Sequence, residues 1–314
     1  MRMKKYFLLL CCFGFFATAQ ADPASSIDSL EAAKTQMVRQ WEMPFVHLKT
    51  LQFAVNDFVT FENGKTIKQR LTHYGTFVYD DPKFLDGVTI VADDYTRRWS
   101  EGDQENKFIY DGNYYCFIFG PKGKDTFSGM RAKDIDETWP PVTINPFSLL
   151  FDFVINGTQA KNFDALTNPR TWDEFEKRIT DFKIDLQSGD ITFSCQSRNP
   201  ENEVTFSYEV KASQIEGIYF PVSVKTFTRE DKTIYSEYVV LKTKEADKST
   251  FALPFPLQIK TSGYDKGVLT IENLTEVDAA SLKINQPVND AIFTVSAKGG
   301  RIIDTPILSL KPRR

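Results

Sequence analysis

Short runs of alternating apolar and polar residues, separated by tight-turn dipeptides, constrain the fold of this chain more than any other feature. Leu51, Phe53 and Val55 alternate with polar or small neighbours. A period of two places successive side chains on opposite faces of a strand. Asn63-Gly64 and Asp111-Gly112 each follow an apolar run, as the residues of a two-residue hairpin turn do. The pattern therefore predicts antiparallel strands that follow one another through short connections.

The same pattern continues over most of the chain and predicts one continuous sheet, because no repeat or flexible linker divides it. Ser188-Gly189 and Glu230-Asp231 mark further turns. Phe251–Ile259 contains Pro254 and Pro256 and is expected to be irregular. Strands beyond the first hairpin are predicted at Lys65–His73, Gly75–Tyr79, Val88–Ala92, Tyr95–Ser100, Lys107–Tyr110, Tyr114–Phe119, Phe182–Leu186, Ile191–Ser197, Val204–Val210, Tyr219–Thr228, Thr233–Lys242, Val268–Asn273 and Ile292–Ser296.

Three segments carry helical signals instead. Ser26–Trp41 has apolar residues at steps of three or four behind an acidic capping-box variant, and Pro44 is expected to end it. Phe147–Phe153 follows Asn145-Pro146, and Thr171–Ile179 opens with a capping-box pattern. One face of an antiparallel sheet must be covered, and these helices are the natural cover. The pattern permits either an apolar cavity beneath them or a simple packed core.

The first 21 residues have the composition of a secretory signal peptide. Arg2, Lys4 and Lys5 precede the apolar run Tyr6–Phe16, and Ala19-Gln20-Ala21 is a cleavage site. Cleavage would start the mature chain at Asp22 and place it in the periplasm. Loss of the three cations changes the formal net charge from −4 to −7, which disfavours binding to nucleic acid. No later segment is long and apolar enough to span a bilayer, so an integral membrane protein is not expected.

Residues typical of catalysis or metal binding are scarce. The chain has two histidines, His47 and His73, and neither lies in a nucleophile motif. No metal-ligand spacing or phosphate-binding loop occurs. The acidic pairs Asp80-Asp81 and Asp93-Asp94 are interpreted as solvated turns. We therefore predict a protein that is not an enzyme, with no catalytic residues, no metal and no cofactor.

Cys116 and Cys195 are the two cysteines of the predicted mature chain. An oxidising compartment permits a disulfide between them. Each also lies in an apolar strand-like run, where a buried thiol is common. The sequence leaves both states open.

Four local motifs occur in a shared order over most of the mature chain. They are the N-terminal helix followed by a strand and the Asn63-Gly64 hairpin, the segment Gly75–Phe84 with its Asp80-Asp81-Pro82, the Asp-Gly turn and aromatic strand of Tyr110–Phe117, and Phe293-Thr294 with Gly300 and Asp304. In this order they resemble the periplasmic lipoprotein carrier family, the LolA-like group of outer-membrane lipoprotein-sorting proteins.

The resemblance implies a mainly β fold, in which helices cover the concave face of a curved antiparallel half-barrel around an apolar cavity. We expect a single domain over residues 22–314, with insertions and a C-terminal extension after Phe251. The family typically has an arginine just before the proline of the second motif, where this chain has Asp81. The charge is reversed, so the contact that this arginine makes with the helical lid is not carried over.

The expected function is a non-catalytic periplasmic binding or carrier protein for lipid, acyl chains or lipoproteins. The partner would be a lipid or an acylated protein in an apolar cavity, and the predicted lining residues are Phe53, Phe77, Phe117 and Phe119. The alternative is an envelope protein-interaction or stress-sensor module with the same fold, which would use the region after Phe251 to bind another envelope protein.

Overall fold

Antiparallel strands form most of the protein. The computed structural model describes residues 23–76, 83–91, 104–121, 128–135, 146–155, 166–198, 204–228, 232–247, 249, 251–294, 301–305 and 307–308. The strands are β1 Thr50–Phe61, β2 Thr66–Thr76, β3 Lys83–Val91, β4 Gln104–Tyr110, β5 Tyr115–Pro121, β6 Ser128–Ala132, β7 Asp134–Ile135, β8 Thr180–Ile184, β9 Ile191–Arg198, β10 Val204–Ile215, β11 Ile218–Thr228, β12 Ile234–Lys244, β13 Phe255–Asp265, β14 Val268–Val277, β15 Lys283–Ile284, β16 Ile302–Asp304 and β17 Ile307–Leu308.

Fifteen of these strands belong to one open, curved sheet. Its order is β16-β6-β5-β4-β3-β2-β1-β14-β13-β12-β11-β10-β9-β8, and β15 also pairs with β1. The pairing of β1 with β14, from Val55 opposite Val277 to Phe61 opposite Ile271, joins the first half of the chain to the second. The short strand β16 pairs with β6 in parallel, so the C-terminal region ends the sheet on that side.

Four helices cover the concave face of the second half of this sheet. They are α1 Pro23–Val46, α2 Pro146–Leu150, α3 Asp152–Ile155 and α4 Pro169–Arg178. They pack on β8, β9, β11 and β13 and on one another. The predicted fold class, a mainly β half-barrel with helices over its concave face, is confirmed.

Aromatic side chains fill the space between these helices and the sheet. Trp41 of α1 contacts the rings of Phe151 and Phe193 at centroid distances of 5.5 and 6.1 Å, and its indole Nε1 donates to the Tyr219 carbonyl at 2.7 Å. Phe147 packs edge-on against Phe255 at 4.8 Å. We call this group the aromatic cluster: Trp41, Phe45, Phe147, Phe151, Phe153, Trp172, Phe175, Phe193, Phe220, Phe251 and Phe255. In this half of the molecule, the helices and the sheet form a packed core.

Several predicted helix boundaries were wrong. Pro44 lies inside α1, because a proline removes only its own N–H and the following turn still forms, with the amide of His47 bonded to the Met43 carbonyl. The apolar run after Pro146 forms α2 and α3, with Phe151 between them. Helix α4 starts before the predicted capping box, because the Asn168 side chain accepts from the Arg170 amide and Pro169 takes the first helical position.

Two predictions for the last third of the chain were also wrong. Residues from Phe255 onward form β13 despite Pro256. Pairing with β14 begins only at Gln258, so the backbone N–H that a proline lacks is not needed there for a hydrogen bond to β14. The predicted strand at Ile292 begins instead as a 3-10 turn, Asp290–Phe293. The expected C-terminal extension thus supplies two central strands of the sheet. The predicted signal peptide, the strand Tyr95–Ser100 and the acidic pairs lie outside the described residues.

Candidate functional site

The register of the first six strands extends the concave face away from the helices. Residues directly opposite each other in an antiparallel pair have their side chains on the same face. Phe53 belongs to the core beneath the helices, so its row defines the concave face. The register continues this row from β1 across β3 to β6, and its described side chains are Phe53, His73, Phe108, Phe117 and Met130.

Aromatic residues concentrate at the far end of this face. The rings of Phe108 and Phe117 lie 4.6 Å apart, those of Tyr110 and Tyr115 lie 4.4 Å apart, and Phe119 lies 6.0 Å from Phe117. All of these residues keep part of their surface exposed, and Phe119 is 42% exposed. We call this surface the aromatic patch: Phe108, Tyr110, Tyr115, Phe117, Phe119 and Met130.

The outer face of the same strands is better buried. Ile109, Cys116 and Ile118 point to that side and are at most 4% exposed. They pack in one cluster with Phe293 of the C-terminal 3-10 turn. The chain thus covers the outer face of β4 and β5 with its own residues, and leaves the aromatic patch on the concave face half-exposed. A sheet face of this kind has room to bury additional apolar surface.

The predicted lining residues have three different environments. Phe53 is buried and stacks on His73 at 5.0 Å. Phe117 and Phe119 are neighbours in the aromatic patch. Phe77 lies outside the described residues. Sequence reasoning missed Phe108 and Met130, although Asp111-Gly112 fixes the hairpin that places Phe108 opposite Phe117.

A second, polar group lies on the concave face of the other half of the sheet. The hydroxyls of Thr226 and Thr261 and the amide oxygen of Asn273 are buried, without a hydrogen-bond partner in the described structure. Burial of such atoms is costly, so unpaired ones are rare in folded proteins. Sequence analysis missed them, since threonine is common in any strand.

Asp152 of α3 accepts a hydrogen bond from the Tyr208 hydroxyl at 3.2 Å. Burial and then the Asp152 carboxylate raise the pKa of Tyr238 to about 12, so its hydroxyl remains a hydrogen-bond donor at neutral pH. The described residues contain no group of three His, Cys, Asp or Glu side chains that could hold a metal ion. His47 is exposed and His73 is buried against Phe53.

A groove of about 670 Å³ runs along the outer side of α1. Met43, Pro44, Ile218 and Ala252 are among the residues that line it. Phe53, Phe117 and Phe119 are not among its lining residues.

Cys116 and Cys195 are buried free thiols, in two separate clusters on opposite faces of the sheet. Burial raises the pKa of each thiol to about 12, so both are protonated at pH 8, whereas the thiolate is the reactive form. We expect neither cysteine to react with a thiol reagent at pH 8 in the native protein, and both to react in denaturant without reductant. Recovery of no thiol after unfolding would mean that the two are bonded.

None of the helices in the described ranges is long and apolar enough to cross a membrane. Comparison of the sequence with family models and with curated proteins gives no match. Among solved structures, the chain is similar to a DUF1329 family protein from Desulfovibrio piger ATCC 29098, with 10% identity, 87% of this chain and 98% of that chain covered, and a TM-score of 0.44.

It is also similar to the LolA superfamily protein NE2245 from Nitrosomonas europaea, with 10% identity, 83% of this chain and 97% of that chain covered, and a TM-score of 0.45.

Proposed function

We propose that this chain is a non-catalytic periplasmic binding or carrier protein for lipid, acyl chains or an acylated protein. The observation that carries the proposal is the half-exposed aromatic patch on the concave face. The sequence motifs that resemble the LolA-like carriers support the same function. In this proposal, Phe117 and Phe119 contact the ligand directly, Phe53 forms the buried border of the patch with the core, and Phe77 is a further predicted contact.

The physical basis is apolar burial. Each methylene group that leaves water contributes about 0.8 kcal/mol, so an acyl chain needs few polar contacts to bind. Aromatic rings provide rigid apolar area, and the paired rings of Phe108 and Phe117 form a continuous surface. The curvature of the sheet places this surface inside the half-barrel, where a bound chain is partly enclosed.

The test is native mass spectrometry, with lipid extraction, on mature protein purified from periplasm without detergent. We expect a bound lipid or acylated peptide, and uptake of a fluorescent fatty acid by the emptied protein. Phe119→Asp and Phe117→Asp should each remove the bound mass, because a carboxylate on this surface opposes contact with a hydrocarbon chain.

Leu186→Asp is the matched control, since Leu186 is 96% exposed in the β8–β9 turn and lies outside the patch. This variant should retain the ligand. An empty wild-type protein that also takes up no fatty acid would contradict the proposed function. Loss of ligand from Leu186→Asp as well would contradict the assignment to the aromatic patch.

A further inference from the structure

The unpaired polar atoms on the concave face of β11–β14 belong to one continuous group. Thr226 lies opposite Ser236, and Tyr238, two residues further along β12, lies opposite Thr261, which in turn faces Asn273. The Tyr238 and Ser236 side chains are hydrogen-bonded to each other. We call these five residues the polar patch: Thr226, Ser236, Tyr238, Thr261 and Asn273.

The polar patch shares its face with the core. Val224 and Ile259 precede Thr226 and Thr261 by two residues in their strands, and both are fully buried in the core beneath the helices. Thr226 itself is only 3% exposed. Buried hydroxyls in folded proteins almost always have a hydrogen-bond partner. A buried hydroxyl without one therefore indicates that a polar group binds at that place.

Hydrogen-bond chemistry decides what that group is. The Asn273 amide oxygen is an acceptor, and the two threonine hydroxyls accept as well as donate. The buried Asp57 carboxylate, which accepts from Thr275 at 2.8 Å, lies on the same face one row below. A ligand with a second negative charge would be repelled by this carboxylate.

The described lysines nearest to the patch lie on the other face of the sheet. Lys225 pairs with Glu237 and Lys260 with Glu272 there. The rows of the described strands β11–β14 that contain the patch have no lysine or arginine on this face, and Lys244 lies further along β12, opposite Phe255. The patch therefore favours an uncharged group that carries hydroxyl donors.

The polar patch and the aromatic patch lie on the same face of one sheet. Asn273 lies opposite Val59 of β1, whereas Phe108 lies in the row of Phe53, so the two are offset by about 19 Å across the strands and by about 20 Å along them, or about 27 Å in total. A lipid head group at the polar patch therefore places its acyl chain on the face that leads toward the aromatic patch.

We infer that Thr226, Thr261 and Asn273 bind the uncharged, hydroxyl-bearing head group of a lipid whose acyl chain lies toward the aromatic patch. This inference rests on the proposed function, since it requires that the protein binds an acyl chain. It adds a selection for the head group, which the aromatic patch alone does not provide.

The experiment compares two probes with the same chain, 1-monopalmitoylglycerol and palmitate, by displacement of a fluorescent fatty acid from the delipidated mature protein. Wild type should bind the glycerol ester about tenfold more tightly, as two additional hydrogen bonds allow. Thr226→Val, Thr261→Val and Asn273→Leu should each weaken binding of the ester about fivefold and leave palmitate within about twofold. Thr192→Val, at an exposed position of β9, is the control and should change neither.

Stability gives an independent measurement. Thr226→Val removes a hydroxyl that has no partner, so its melting temperature should equal or exceed that of wild type. A lower melting temperature would mean that the hydroxyl has a structural partner and would overturn the inference. Equal affinity of wild type for the two probes would also overturn the inference. An equal loss of affinity for both probes in the variants would overturn it as well. If wild type binds neither probe, the proposed function itself fails, and this result is distinct from the others.

Discussion

Replacing Trp41 with alanine is expected to lower the free energy of unfolding by about 3–5 kcal/mol, the range observed for large aromatic side chains in cores. Trp41 is fully buried, and its ring contacts four other rings of the aromatic cluster: Phe151, Phe153, Phe175 and Phe193. These rings come from α3, α4, β9 and the residue between α2 and α3, so one truncation leaves a cavity where several elements meet.

The lost hydrogen bond adds to this effect. The indole Nε1 donates to the Tyr219 carbonyl at 2.7 Å, and the Tyr219 amide donates to the Gln40 side chain at 3.2 Å. Trp41→Phe retains most of the apolar contact and loses only the hydrogen bond to the Tyr219 carbonyl. It should therefore lower the free energy of unfolding by about 1–3 kcal/mol. The two variants separate the contribution of packing from that of the hydrogen bond.

Chemical denaturation followed by tryptophan fluorescence and circular dichroism measures both effects. Met43→Ala is the control on the same helix, because Met43 is 52% exposed, and it should stay within about 0.5 kcal/mol of wild type. If Trp41→Ala unfolds within about 1 kcal/mol of wild type, α1 does not hold the helices on the sheet in the way described.

Local turn chemistry made much of the sheet predictable. Asn63-Gly64, Asp111-Gly112 and Ser188-Gly189 each form the predicted turn, and their glycines have φ values of 77°, 96° and 73°, which glycine adopts without steric cost. The turn at Glu216-Gly217 was missed, because the strand before it was expected to end at Val210. The polar residues near the end of β10 gave no strand signal in the sequence. The strand nevertheless extends to Ile215, because it pairs with β11.

Contacts between distant parts of the chain were the unpredictable component. The sequence alternation predicts that Phe117 and Phe119 share a face, and they do. It does not tell which face, because that depends on four successive pairings from β1 to β5. The pairing of β1 with β14, which brings Asn273 onto the same concave surface as Phe53, connects residues more than 200 positions apart and has no local signal.

Burial was the second unpredictable quantity. Phe53 and Phe117 have similar alternating surroundings in the sequence, yet Phe53 is 3% exposed while Phe117 remains half-exposed. The difference arises because the described helices pack on the second half of the sheet. Composition alone gives no information on where a helix will dock.

Replacing Gly129 with alanine is expected to lower the free energy of unfolding by about 2–3 kcal/mol through overpacking. A Cβ atom at this position would overlap the Phe117 carbonyl oxygen and lie 3.0 Å from the Ile118 Cα. Both obstacles are backbone atoms of β5, which cannot turn away as a side chain does. Gly129 also donates its amide to the Arg301 carbonyl at 3.0 Å, so the strain acts on the pairing with β16 as well.

Gly263→Ala provides the matched control. Its Cβ would lie 2.5 Å from the Cγ2 atom of Ile271, which moves only if the stiff χ1 torsion of this isoleucine changes, so the cost should be about 1 kcal/mol, which is less than for a clash with backbone atoms. Denaturation midpoints compare the two variants, and hydrogen exchange locates the damage. Gly129→Ala should expose the amides of 128–132 and 301–305 and leave β8–β13 protected.

Gly129→Ala is also expected to affect ligand binding. The carbonyl that Gly129 approaches belongs to Phe117, so a forced separation of β5 and β6 moves the centre of the aromatic patch. Gly263 lies opposite Ser236 in the other half of the sheet. Gly129→Ala should therefore weaken fatty-acid uptake at temperatures where the second half of the sheet is still folded. Equal stability of the two variants would mean that β5 and β6 are not packed as closely as described. Normal uptake by a destabilised Gly129→Ala protein would instead place the ligand away from β5.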